Sequence, residues 1–104
     1  MLARKFRLKT RDVQKIYKIG RTLRFHNFLI KFGPNRTDHG RFAVVISKKI
    51  FPKAVDRNSA RRETYRLIDT LSPLWANRNL DLLISFRNFD LSELNNALKQ
   101  ILEP

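Results

Sequence analysis

The 104-residue chain contains no cysteine, which excludes a disulfide framework, a thiolate nucleophile and cysteine-ligated zinc. It is poor in acid: nine Asp and Glu stand against 22 Lys and Arg, for a formal charge of +13. No apolar run approaches the roughly 18 residues needed to span a bilayer. The first residues, MLARKFRLKTR, lack the apolar stretch of about 7 to 15 residues that forms a signal-peptide core. Glycine is limited to three positions, none in a phosphate-cradling loop. These absences predict a soluble cytoplasmic protein with no thiol chemistry and no membrane partner.

What remains is basic. The charge exceeds the net magnitude of about 2 to 8 usual for a small soluble domain, and the isoelectric point is near 11.2. That is the footprint of a polyanion binder. The length suits a single RNA-binding domain, residues 1–104, with one modest core. Its most informative stretch is Phe42 to Tyr65, FAVVISKKIFPKAVDRNSARRETY. An apolar strand passes there through a Ser-Lys-Lys corner into an Arg-rich helix, presenting cations and one amide from a rigid support. A phosphate backbone with some local geometry to read requires such an arrangement.

Residues 1–9 carry Arg4, Lys5, Arg7 and Lys9 without periodicity and are expected to form a flexible basic arm. Thr10 to Gly20 reads as a short amphipathic helix with Val13, Ile16 and Tyr17 on one face. From Thr22 to Phe32 the apolar positions alternate but change parity between Phe25 and Phe28, which predicts a bulge or kink near His26 and Asn27. Gly33 to Gly40 is a polar connection expected to join antiparallel strands. Phe42 to Ser47 is apolar on both faces and reads as a central strand. A helix is expected from about Lys53 to Leu71, ending before Ser72-Pro73. Leu80 to Phe86 reads as a buried strand, and Asp90 with Glu93 as a capping box opening the last helix, with Phe89 and Leu94 as its staple.

In the helix after Lys53, a turn of 100° per residue gathers Ala60, Thr64, Leu67, Ile68 and Leu71 into the core stripe. Asn58, Arg62, Tyr65 and Asp69 occupy the opposite side, with Arg61 and Arg66 flanking them and Arg57 nearer the sheet. Forked guanidinium groups beside an amide suit phosphate recognition. A nuclease site is a poor fit. Asp56 and Glu63 lie roughly 10 Å apart along the axis, too far to share one Mg²⁺ with oxygens at about 2.1 Å. Glu63 is instead placed to pair with Arg66. His26 and His39 are isolated, so the chain alone is expected neither to catalyse nor to bind a cofactor. Tyr17, beside the basic arm, is a candidate for stacking on single-stranded RNA.

These residues resemble the protein subunit of bacterial ribonuclease P. The likeness covers nearly the whole chain: the basic arm, DVQKIYKIG closing at Gly20, AVVISKK, RNSARR, and a last strand and helix of the expected length. Its strongest piece is Ser47-Lys48-Lys49, followed after seven residues by Arg57-Asn58 and then Arg61-Arg62. The resemblance implies an α+β fold, a four-stranded sheet with three helices. It also implies a left-handed parallel crossover through the basic helix, against the usual hand. It further implies an endoribonuclease whose RNA subunit, with its Mg²⁺ ions, removes the 5′ leader of precursor tRNA, while the protein binds that RNA and the leader. RNA binding falls to Lys48, Lys49, Arg57, Asn58, Arg61 and Arg62, extended by Tyr65 and Arg66. A leader cleft between the first helix and the sheet falls to Val13, Tyr17, Phe28 and Lys31. Family members usually carry an aromatic where this chain has Val13, often Tyr where it has Lys31, and commonly Arg where it has Tyr65. The alternative is a structural RNA-binding protein of ribosomal type, with the same basic helix and no leader cleft.

Overall fold

The computed structural model of the protein describes residues 4–103. After a 3₁₀ turn at Arg4–Phe6 come α1 (Thr10–Ile19), β1 (Arg21–Arg24), β2 (Phe28–Pro34), β3 (Arg41–Val45), α2 (Ala54–Thr70), α3 (Ser72–Trp75), β4 (Leu80–Phe86) and α4 (Leu91–Leu102). The sheet order is β1-β2-β4-β3. β3 runs parallel to β4, with α2 in the connection, and the other neighbours are antiparallel. The fold is α+β, as expected. No helix among the described residues is long and apolar enough to cross a membrane.

One sheet face carries the main core. Phe28, Ile30, Phe42, Val44, Leu82, Ile84 and Phe86 pack with Ala60 and Ile68 of α2 and Leu94, Leu98 and Leu102 of α4. α1 lies on the other face, where Ile16 joins Ala43 and Leu83. Among the described residues the α-helices number four, the three expected and one short addition. Ser72-Pro73 does end α2, but the fixed φ of proline also suits a helical first turn, so a one-turn α3 follows at once. It delivers Trp75, 1% exposed, whose indole N–H donates to the Ile68 carbonyl at 2.8 Å. The backbone beside it must be bare: a Cβ on Gly40 would stand 2.9 Å from the Trp75 carbonyl oxygen.

Several expectations are corrected here. The parity change after Phe25 is a chain reversal, not a bulge: β1 and β2 form an antiparallel hairpin with Arg24 opposite Leu29. The Phe25 N–H donates to the Phe28 carbonyl at 2.8 Å, and the Asn27 carbonyl accepts from Arg87 and Asn88 at 2.7 and 2.9 Å. β3 is an edge strand, not a central one, because β4 lies between it and β2. The Gly33–Gly40 connection therefore links antiparallel strands that are not neighbours. Residues 4–9, expected as a flexible arm, are docked on that edge; residues 1–3 lie outside the described part. Arg7 bridges Phe42 in parallel, the Leu8 N–H donates to the Phe42 carbonyl at 2.7 Å, and Phe6 sits edge-on to Trp75 with centroids 5.0 Å apart. The edge of β3 is thus occupied by the chain itself. Asp90 caps α4 by accepting from the Glu93 N–H at 3.0 Å, but the Glu93 carboxylate takes the Asn27 amide instead of returning to the cap.

A buried polar cluster ties α1 to this frame. Asp81, 6% exposed, accepts from Arg41 Nε at 2.8 Å and Nη2 at 2.7 Å, and from Asn35 Nδ2 at 2.8 Å. Arg41 Nη1 reaches Asp12 of α1 at 3.1 Å. The Asp81 carboxylate holds the Arg41 guanidinium even more firmly protonated than usual, outweighing the opposing effect of partial burial.

Candidate nucleic-acid interface

α2 presents its cations much as the 100° rotation requires. Ala60, Thr64, Ile68 and Leu71 are buried and Leu67 half-buried. The outward side forms a shallow hollow of about 430 Å³ lined by Arg7, Val55, Asn58, Arg61, Arg62 and Tyr65. All of its charged residues are cationic. Arg61 Nη1 donates to the Asn58 side-chain carbonyl at 2.6 Å, so amide and guanidinium are already set against each other. Among the described ion pairs none involves Lys48, Lys49 or a cation of α2; the expected Glu63–Arg66 pair does not form. Lys48 and Lys49 are exposed in the turn after β3, and Arg66 is exposed outside the hollow.

Two predicted contacts have different local roles. Arg57 is half-buried, and its Nη1 donates to the Phe51 and Pro52 carbonyls at 2.9 and 2.8 Å, fastening the start of α2 to the preceding loop. Tyr65 is half-buried rather than fully outward. Burial raises its phenol pKa, against the opposing influence of the Val44 backbone, Arg7 and Arg61. The Arg7 guanidinium stands 6.0 Å from the Tyr65 ring centroid. Sequence pattern gave no sign that Arg7 belongs to this surface. It enters only because residues 4–9 dock on β3.

A second surface lies on the α1 face of the sheet. Strand register aligns Thr22, Lys31, Leu83 and Ala43 in one row and Arg24, Leu29, Ser85 and Val45 in the next. α1 covers the first row through Ile16, with Val13 and Leu8 packed beside it. The second row is open enough to leave Val45 36% exposed. Tyr17 of α1 is 45% exposed, with Lys31 Nζ of the first row 5.3 Å from its ring centroid. Val13, Tyr17 and Lys31 thus share this face, but Phe28 does not. Phe28 is 2% exposed, stacked on Phe25 and edge-on to Phe86 in the main core. The reason is strand parity: Phe28 points with Ile30, and its neighbour Leu29 takes the open side.

The family model described as Ribonuclease P matches residues 2–104. The chain belongs to the ribonuclease P protein family. The ribonuclease P protein component of Petrotoga mobilis is 32% identical over 104 residues, covering 93% of this chain and 86% of the relative. That of Synechocystis is 34% identical over 74 residues, 69% of this chain and 60% of the relative. Among solved structures, the RNase P protein from Thermotoga maritima superposes with a TM-score of 0.76 at 24% identity, covering 93% of this chain and 97% of that one. The Staphylococcus aureus RNase P protein gives 0.68 at 28% identity, covering 94% and 93%. Within this ribonuclease P family frame, the α2 hollow and the open sheet row are two separate surfaces with no lining residue in common.

Proposed function

We propose that this chain is the protein component of a ribonuclease P holoenzyme, in which it binds the RNA subunit through α2 and the 5′ leader of precursor tRNA along the α1 face. The reading rests chiefly on the α2 hollow, where Arg7, Arg61 and Arg62 surround Asn58 and Tyr65 with no carboxylate in the lining. Guanidinium forks there grip phosphate oxygens, and the amide reads local geometry. On the other surface, Tyr17 supplies a ring for stacking and Lys31 a cation, while Leu29, Ser85 and Val45 form a floor that accommodates any base. Because Lys31 and Val13 replace aromatics, the leader is held more by charge than by stacking.

The chain contributes binding and positioning rather than bond-breaking groups. Of its acids, Asp81, Asp12, Asp90 and Glu93 are engaged in structural hydrogen bonds, and Asp56, Glu63 and Asp69 are spread along α2. The RNA carries the Mg²⁺ ions and the hydrolytic step.

The deciding experiment reconstitutes the protein with its RNA subunit. Protein alone leaves precursor tRNA intact, while protein plus RNA restores cleavage at low Mg²⁺. Replacing Arg61 and Arg62 by Ala lowers affinity for the RNA subunit, and the slope of log K against log salt becomes shallower by roughly 0.7 to 0.9 for each phosphate no longer neutralised. Unchanged affinity and slope would remove α2 from the interface. Leader binding makes affinity rise with leader length; equal affinity for precursor and mature tRNA would instead fit a structural RNA binder.

A further inference from the structure

The start of β1, the end of β2 and the start of β4 meet at one end of the sheet. They line an open cavity of about 530 Å³ together with the turn before β4, its walls formed by Arg21, Phe32, Gly33, Pro34, Asn77, Arg78, Asn79 and Leu80. This volume lies within the range of roughly 300 to 1,000 Å³ typical of small-ligand sites. None of these residues lines the α2 hollow or the open row on the α1 face. Register pairs Arg21 with Phe32 and Pro34 with Leu80. The Asn35 N–H donates to the Asn79 carbonyl at 3.1 Å, so the turn before β4 is fastened to the end of β2.

The lining is selective in its chemistry. It holds two cations and no acid. Arg21 and Arg78 are both exposed, as are Asn77 and Asn79, whereas Phe32 and Leu80 are half-buried on the edge of the main core. Arg78 is anchored: its Nη1 donates to the Leu102 carbonyl at 2.8 Å, which fixes the guanidinium and leaves its remaining N–H groups for a ligand. Helices do not close the site from above, since Leu23, one step along the same face of β1, is 39% exposed.

We infer that this cavity is a third RNA contact, taking an unpaired nucleotide. Its phosphate meets Arg21 and Arg78, its base lies on Phe32 and Leu80, and the Asn77 and Asn79 amides reach the base edge. The positive lining favours an anion, and the apolar floor distinguishes a nucleotide from a simple phosphate.

This inference rests on the proposed ribonucleoprotein function, so the test carries a control on α2. A photo-crosslinking side chain is placed at exposed Asn79, and separately at Arg62 on α2, in protein assembled with its RNA subunit and precursor tRNA. Both positions are expected to cross-link to RNA, and sequencing the linked strand shows whether the RNA subunit or the precursor supplies the nucleotide. Cross-linking at Arg62 but not Asn79, or linkage of Asn79 only to protein, overturns the third contact and leaves the proposed function standing. Loss of both overturns the function itself. In parallel, Arg21→Ala lowers affinity about two- to fivefold, the range for one exposed charge contact, and makes the salt dependence shallower. An unchanged salt slope counts against the site.

Discussion

Replacing Asp81 by Ala tests whether the buried carboxylate fixes the frame on which both proposed RNA surfaces stand. Asp81 is 6% exposed and accepts three hydrogen bonds, two from Arg41 and one from Asn35. Its loss leaves Arg41 with Asp12 at 3.1 Å and removes one partner of the Asn35 amide. Breaking a buried pair on one side costs about 3–5 kcal/mol. The Arg41 side chain is 18% exposed, so water relieves part of this, and the lower end, about 3 kcal/mol, applies. For a domain of this size each kcal/mol lowers Tm by about 4–8 °C, which gives a fall of roughly 12–24 °C in thermal unfolding followed by circular dichroism. Asp12→Ala removes one bond of a pair with side chains 18% and 23% exposed and should cost only about 1 kcal/mol. Its larger effect should be on affinity for leader-bearing precursor, because α1 loses its polar tether to the sheet. Removing both charges, with Arg41→Met and Asp81→Leu together, should recover much of the lost stability. A Tm fall below about 5 °C for Asp81→Ala, or equal falls for Asp81→Ala and Asp12→Ala, would refute this account.

Phe28 and Tyr65 supply two further tests. Phe28→Ala should lower stability by about 3–5 kcal/mol, as for any buried aromatic, and should weaken leader-bearing and leaderless tRNA alike once the protein is kept folded by low temperature; a selective loss of leader binding would return Phe28 to the cleft. Tyr65 bears on alkaline stability: burial raises its folded pKa above the ordinary 10.0, so the unfolded chain loses the phenolic proton first. Its contribution is therefore complete below pH 10.0 and declines as pH rises from there through the folded value. Urea midpoints measured at about pH 9 and about pH 11, on either side of the ordinary phenol value, should fall less for Tyr65→Phe than for the parent. An equal fall would show that Tyr65 is not responsible.

Much of the α2 surface was legible because a helix imposes its own angular map. The core stripe through Ala60, Thr64 and Ile68 and the outward placement of Asn58 and Arg62 follow from 100° per residue alone. That map could not show where β3 would lie beside the helix, and so it put Tyr65 too far outward and left Arg57 without its carbonyl partners. Arg7 was hidden for a related reason. Its place depends on a bridge to Phe42, more than thirty residues away, and no periodicity announces a single bridge. The error at Phe28 was avoidable: it shares parity with Ile30, a core position, and cannot face the same side as Lys31. Strand order was less accessible. Alternating apolar residues show which faces are buried, but not that β4 separates β2 from β3, so an edge strand covered by residues 4–9 looked central.

The position of β4 also constrains when the molecule can form. β2 and β3 meet only through this strand, which is the last of the four to leave the ribosome. A nascent chain that ends before Leu80 has the β1–β2 hairpin and the basic helix but not the full sheet that supports either proposed RNA surface. The cations of α2 therefore emerge well before their scaffold does. Emergence of β4, rather than of the basic helix, is therefore expected to set the moment at which the α2 surface gains its scaffold.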